Sequence, residues 1–354
     1  MSDFFCGLVE GFYGRQWSWE TRFEYPAFLS AHDFSAYIFA PKGEVALRSH
    51  WIEPFERGFI AHLLQLREAC RQSNISFGIG LSPLGLQDNL KPNLSRLKEK
   101  IRELNALDVD ILCILFDDMP VQNDDLAQKQ SLIIAEALSV SQAKRHIICP
   151  SYYSFDPVLE QVFGKMPKGY WSDLGGMLPK GIDYFWTGNQ VISDTYTQQD
   201  LESITHIMGR KPVLWDNYPV NDGRKTSPFI HLGAYSGRPF ELQDWAAGHC
   251  VNPMNQAYLS MPVLGTLSEL YRNRQAYRAD QALRKALMAS CEEVLAERLL
   301  EDREVFQRVG LEAVSDSDRT EMLAFYTAFS NPLAVEVVAW LHGAYRFDSD
   351  CLTG

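Results

Sequence analysis

Basic residues are in short supply: 33 Lys and Arg stand against 45 Asp and Glu in 354 residues, a formal net charge of −12. Such a balance offers no cationic face to a phosphate backbone or an anionic bilayer, so neither nucleic acid nor a membrane surface is expected as a partner. Cysteine is sparse and shows no pairing pattern. The seven (Cys6, Cys70, Cys113, Cys149, Cys250, Cys291, Cys351) are odd in number, widely scattered and free of any CxxC. The eight histidines form no HxxxH or HxH. These absences argue against a disulfide framework and a structural zinc site, and predict a reducing, cytoplasmic setting. No apolar run approaches the roughly 18–20 residues of a membrane span. The stretch FFCGLVEGF lacks the basic n-region of a signal peptide and reads as a strand instead. Internal repeats and low-complexity segments are missing too.

What is present is ordinary for a soluble globular chain, with 46% hydrophobic and 22% charged residues. Eight short β-rich runs recur: FFCGLVE (4–10), AYIFAP (36–41), SFGIGLS (76–82), DILCILF (110–116), HIICPS (146–151), DYFWTG (183–188), PVLWDN (212–217) and FIHLGAY (229–235). Helical segments are expected between them near 19–31, 55–73, 93–107, 124–142, 156–163 and 197–208. Continuous apolar runs with little alternation suit parallel strands covered on both faces. Eight such strands alternating with helices predict a (β/α)8 TIM barrel over residues 1–265, in preference to a doubly wound open sheet. After about Leu264 the strand pattern stops. The stretch from Leu267 to Val309 is helical in period with no Pro or Gly, and two shorter helical stretches follow near 316–329 and 333–346. Residues 266–354 are therefore expected to be a helical C-terminal region. It packs either on the barrel or on a second copy of the chain, which would make a homo-oligomer.

In a parallel barrel the chemistry lies where the strands end. Those ends read Glu10-Gly11, Pro41-Lys42, Ser82-Pro83, Asp117-Asp118, Ser151-Tyr152-Tyr153, Trp186-Thr187, Trp215-Asp216-Asn217 and Tyr235. Acids, amides, one Lys and flat rings make a lining suited to a sugar, whose hydroxyls need hydrogen bonds and whose ring faces need aromatic surface. The sharpest signal is ILFDDMP, two aspartates closing the most apolar run. One Asp there could cap the next helix; two in succession cannot both ionise cheaply. One then keeps its proton as a donor while the other stays a charged acceptor. A divalent-metal site built from Asp117, Asp118, Asp216 and Asp222 is the competing reading, with Lys42 as poor company for a hard cation.

Taken in order, GLVEGFYGRQW, FAPK, LFDD, CPSYY, WTG, WDNYPVND and VNP resemble the successive motifs of glycoside hydrolase family 84, the β-N-acetylglucosaminidases. The resemblance covers roughly residues 4 to 265. It implies a retaining, exo-acting hydrolase of β-linked N-acetylglucosaminides on glycoprotein or glycan, working by substrate-assisted catalysis with no cofactor and no metal. By the same resemblance Asp117 holds the acetamido N–H and Asp118 is the general acid. Tyr153 hydrogen-bonds the acetamido oxygen, and Gly11 presents backbone to the sugar. Lys42, Asn217, Asp222 and Asn252 match sugar-hydroxyl ligands, and Cys149, Thr187, Val191 and Trp215 match the pocket around the acetamido methyl.

Each residue also has a plainer reading when taken alone. Cys149, Trp186 and Trp215 suit core packing, Asn252-Pro253 and Asn221-Asp222-Gly223 suit turns, and Lys42 suits an exposed loop. The sequence departs from the family pattern in two places. PKGEVALRSHW carries only Glu44 where further acids usually follow the lysine, and Gly223 replaces an aromatic after Asp222. Both departures bear on the leaving group. Rival functions are an endo-acting, hyaluronidase-like hydrolase, a GlcNAc-binding barrel without catalysis, and a metal-dependent lyase or isomerase.

Overall fold

The computed structural model describes residues 4–119 and 125–347. Eight parallel strands close into a barrel in sequence order, β1 (Phe5–Glu10), β2 (Ala36–Phe39), β3 (Ser76–Leu81), β4 (Ile111–Leu115), β5 (Arg145–Cys149), β6 (Asp183–Trp186), β7 (Val213–Asp216) and β8 (Gly248–Val251). The seam is sealed by β1 against β8, with Gly7 opposite Cys250 and Leu8 opposite Val251. The helices between strands are α1 (Trp19–Ala31), α2 (Arg57–Gln72), α3 (Leu90–Asn105), α4 (Leu126–Leu138), α5 (Val158–Phe163), α6 (Tyr170–Met177), α7 (Gln198–Met208) and the single turn α8 (Leu242–Trp245). Local chemistry sets several boundaries. Ser18 and Thr197 cap α1 and α7 by accepting from Thr21 N and Asp200 N, and Gly209 ends α7 in the left-handed region.

Strand alternation sorts the neighbouring polar residues between two faces. Glu10 accepts from Arg22 on α1 and from Tyr37, while its neighbour Gly11 faces the barrel mouth. Likewise Trp215 and Asn217 line the mouth, but Asp216 between them is fully buried among Arg238 and His249. Its carboxylate is engaged there, held well below the usual range by those two partners against the cost of its burial. It therefore cannot join Asp117, Asp118 and Asp222 as a metal ligand.

One strand expectation is corrected. FIHLGAY (229–235) is buried or half-buried but belongs to no strand, and the eighth strand is GHCV at 248–251. The apolar segment lacks a barrel neighbour because its backbone is satisfied elsewhere: Ile230 N donates to Phe306 O and Tyr235 N to Thr266 Oγ1. Tyr235 thus ends no strand, and its hydroxyl donates to Tyr218 O.

Beyond the barrel come α9 (Ala257–Asn273), α10 (Ala279–Ser290), α11 (Glu293–Glu301), α12 (Asp316–Tyr326) and α13 (Pro332–Leu341). Helix α9 runs unbroken through residue 265. The long helical stretch is broken at Arg274, whose φ is +49°, at Cys291, and again at Asp302, where α11 ends. The breaks let α10 fold back along α9. The tail also grips the loop after β7: Trp340 Nε1 and Leu311 N both donate to Pro228 O, and Phe347 N donates to Ser227 Oγ. All six described cysteines are free thiols, and Cys351 lies outside the described residues. Among the described residues no helix is long and apolar enough to cross a membrane.

Candidate active site

At the C-terminal mouth of the barrel lies a pocket of about 190 Å³. All twelve residues singled out in the sequence line it: Gly11, Lys42, Asp117, Asp118, Cys149, Tyr153, Thr187, Val191, Trp215, Asn217, Asp222 and Asn252. They come from seven different strand ends. Three further lining residues were not singled out, Tyr13, Ile192 and Val220. Tyr13 lies only two residues beyond Gly11, and Ile192 adjoins Val191, so adjacency was the available signal.

The two aspartates sit in opposite environments. Asp117 is buried and its Oδ2 meets Lys42 Nζ at 2.6 Å, while its Oδ1 is buried with no hydrogen-bond donor. Lys42 is itself only 2% exposed and also donates to Ser82 Oγ, which rules out the solvated-loop reading. Asp118 accepts from two phenols, Tyr153 Oη at 2.9 Å on Oδ1 and Tyr13 Oη at 3.2 Å on Oδ2. Burial, then the neighbouring Asp117 charge, raises its carboxyl above the ordinary range, and Lys42, Tyr153 and Arg48 offset only part of this. Asp118 stands at φ +56°, a left-handed backbone that Asp tolerates better than most residues. Among the described residues it caps no helix, and the N-cap of α4 is Asp125.

The remaining wall is a relay of amides. Gly11 N donates to Asn252 Oδ1 (3.2 Å), and Asn252 Nδ2 donates to Asn217 Oδ1 (3.0 Å). Asn217 Oδ1 also accepts from Trp215 Nε1 (3.0 Å), and its Nδ2 donates to Val191 O (2.8 Å). The loops after β1, β6, β7 and β8 are thereby tied together across the mouth. Thr187 Oγ1 donates to Gln190 O, and Asp156 accepts from Val191 N, which fixes the turn carrying Val191. The Trp215 indole lies against Gly11, where any Cβ would run into it. Opposite the aspartates, Asp222 accepts from Tyr13 N at 2.8 Å, and burial followed by the Asp118 charge pushes its carboxyl up to about 6. Cys149 is buried with its thiol pushed well up by desolvation, so it stays a neutral, apolar surface.

A family model described as beta-N-acetylglucosaminidase matches residues 6–302. The chain belongs to this family, glycoside hydrolase family 84. Among its relatives are the protein O-GlcNAcases of Rattus norvegicus and Mus musculus, each 30% identical over 289 residues. Those alignments take in 78% of this chain but only 31% of each relative, so the chain spans about a third of their length. An Asp-to-Asn variant of the Thermobaculum terrenum O-GlcNAc hydrolase superposes with a TM-score of 0.78 at 28% identity, covering 97% of this chain and 75% of that one. CpGH84B superposes with a TM-score of 0.77 at 23% identity over 96% of this chain and 66% of that one, a likeness of fold.

Proposed function

We propose that this chain is a retaining exo-β-N-acetylglucosaminidase in which the substrate's own acetamido oxygen is the nucleophile. The observation that carries the reading is the asymmetry of the aspartate pair. Asp117, ion-paired to Lys42, keeps one buried oxygen without a donor. An acetamido N–H meets that oxygen and is polarised by it. Asp118, with its carboxyl raised, holds the proton that the leaving oxygen requires.

In the first step the acetamido oxygen bonds to the anomeric carbon as the glycosidic C–O bond breaks. The proton of Asp118 passes to the departing oxygen, leaving an oxazoline in its N-protonated (oxazolinium) form, its N–H held by the Asp117 carboxylate, and an ionised Asp118. In the second step Asp118 takes a proton from water, which opens the oxazoline with return of the β configuration. This is one of the recognised exceptions to the two-carboxylate scheme, in which a second carboxylate either attacks or activates water across the ring. Tyr153 hands its hydrogen bond from Asp118 to the acetamido oxygen when substrate enters. Cys149, Thr187, Val191 and Trp215 shape the apolar niche for the methyl group, and Lys42, Asn217, Asp222 and Asn252 take the hydroxyls. A cavity of about 190 Å³, below the roughly 300–1,000 Å³ of drug-sized sites, favours one terminal sugar over an extended chain.

The test separates the two acids. General acid–base groups are typically worth about 10²–10⁴-fold in rate, and their importance grows as the leaving group becomes more basic. Asp118→Ala should cripple alkyl glycosides and spare aryl glycosides of acidic phenols, whereas Asp117→Ala should slow all of them. Equal leaving-group slopes, or α-product appearing first by NMR, would reject the mechanism. Turnover of glycopeptide, chitobiose or hyaluronan fragments then identifies the aglycone.

A further inference from the structure

The proton-donating carboxyl needs a backbone that holds it, and the residue that does so lies outside the pocket. Asp118 follows a strand end in a left-handed conformation that L-residues other than glycine adopt reluctantly. Such a backbone persists only when its surroundings over-determine it. Strand β4 has ended three residues earlier, at Leu115, so strand pairing does not fix it. The contact that reaches across is from Arg48, whose Nη2 donates to the Asp118 carbonyl oxygen at 2.8 Å. Arg48 is only 3% exposed, and its guanidinium lies 5.8 Å from the centre of the Tyr13 ring. Tyr13 in turn donates to the Asp118 carboxylate. The backbone of Asp118 and one of its two phenol donors are thus both in contact with one cation.

The base from which Arg48 reaches is rigid. Glu44 accepts from Ala46 N, Arg48 N donates to Val45 O, and His50 N donates to Val45 O at 2.8 Å, closing a compact turn. Ser82 N donates to Leu47 O, which anchors that turn to the end of β3. Trp51, 1% exposed, donates from its indole to Leu84 O. Where the sequence lacks the further acids expected after Lys42, it still carries this arginine.

We propose that Arg48 is a positioning residue that sets the direction of the Asp118 carboxyl by holding its left-handed backbone and the Tyr13 ring. The inference rests on reading Asp118 as the general acid. Arg48 does not line the pocket, so its removal is expected to reach the chemistry through Asp118 and Tyr13. Misplacement by about 1 Å costs on the order of 10²-fold in rate. The loss should fall on substrates that need the proton.

The experiment measures kcat/KM for wild type, Arg48→Met, Asp118→Ala and the double variant on aryl N-acetylglucosaminides of graded leaving-group pKa and on an alkyl glycoside. Arg48→Met is expected to lose about 10²-fold on the alkyl glycoside and at most about threefold on the most acidic phenol. Inhibition by free N-acetylglucosamine should be unchanged, and the double variant should be no worse than Asp118→Ala alone. Arg48→Lys should recover part of the loss, and it carries the same test if Arg48→Met does not fold. A uniform loss across leaving groups, additive losses in the double variant, or no loss at all would each overturn the role of Arg48. A flat leaving-group dependence in Asp118→Ala would instead overturn the general-acid reading beneath it.

Discussion

Gly11 is where the backbone of the first strand end meets the pocket, and the space it leaves is already taken. A Cβ there would lie within the Trp215 indole, with Cη2 at 2.7 Å and another ring carbon nearer still. Trp215 cannot swing aside at low cost. It is 4% exposed, packed edge-on against Phe185 at 5.0 Å, and its Nε1 is committed to Asn217. Overpacking of this kind costs about 1–3 kcal/mol. At roughly 2–4 °C per kcal/mol, Gly11→Ala should lower the melting temperature by several degrees. Function should suffer more than stability, because a displaced indole pulls Asn217 out of the amide relay. A misplacement near 1 Å is worth about 10²-fold in kcat/KM. Gly58→Ala is the control, since a Cβ there meets nothing within 4 Å and the residue lies in α2, where Ala is favoured over Gly by up to about 1 kcal/mol. The assay pairs thermal melts with steady-state kinetics on an aryl N-acetylglucosaminide. A Gly11→Ala enzyme that melts and turns over like wild type would refute the argument.

Three further outcomes are expected. Asp222 titrates near 6 and binds hydroxyl donors best as the carboxylate, so KM should rise as pH falls through about 6 and Asp222→Asn should abolish that limb. Glu336 is buried where it accepts from Tyr258 N and Leu259 N at the start of α9, and burial lifts its carboxyl from 4.5 to about 8. The folded chain therefore holds a proton that the unfolded chain releases, so this group's contribution to stability is complete below about 4.5 and is lost as pH rises to 8; Glu336→Gln should flatten that decline in urea titrations. Trp340→Ala removes a fully buried indole and the donor to Pro228 O, and should cost about 3–5 kcal/mol while raising KM through the loosened loop that carries Asp222.

The pocket residues were readable because each sits at the end of an apolar run or in a motif with a recognisable order. What eluded the sequence follows from physical causes that local pattern does not carry. FIHLGAY has the composition of a strand, yet Phe306 O and Thr266 Oγ1, far along the chain, take up its N–H groups. GHCV is a strand of four residues containing Gly and His, too short for periodicity to register, and it is specified by its neighbours β7 and β1. The breaks at Arg274 and Cys291 carry no Gly or Pro, so intrinsic propensity does not mark them; they lie where α10 turns back onto α9 and α11 onto α10. Arg48 was invisible as a participant, since its role depends on a carbonyl seventy positions away.

The hydrogen bond from Gly11 to Asn252 joins residues 241 positions apart, across the seam where β1 meets β8. Half of the sugar wall therefore does not exist until the last strand has docked on the first. An incompletely threaded chain carries Asp117 and Asp118 on β4 but has neither the indole backing nor the amide relay, and so it has no place to hold a sugar. If the sugar binds as proposed, its affinity is expected to depend on the closed ring, and by bridging the two edges it would act as a rivet. Because such contacts form late in a fold dominated by distant pairings, saturating sugar should act chiefly by slowing the reopening of that seam.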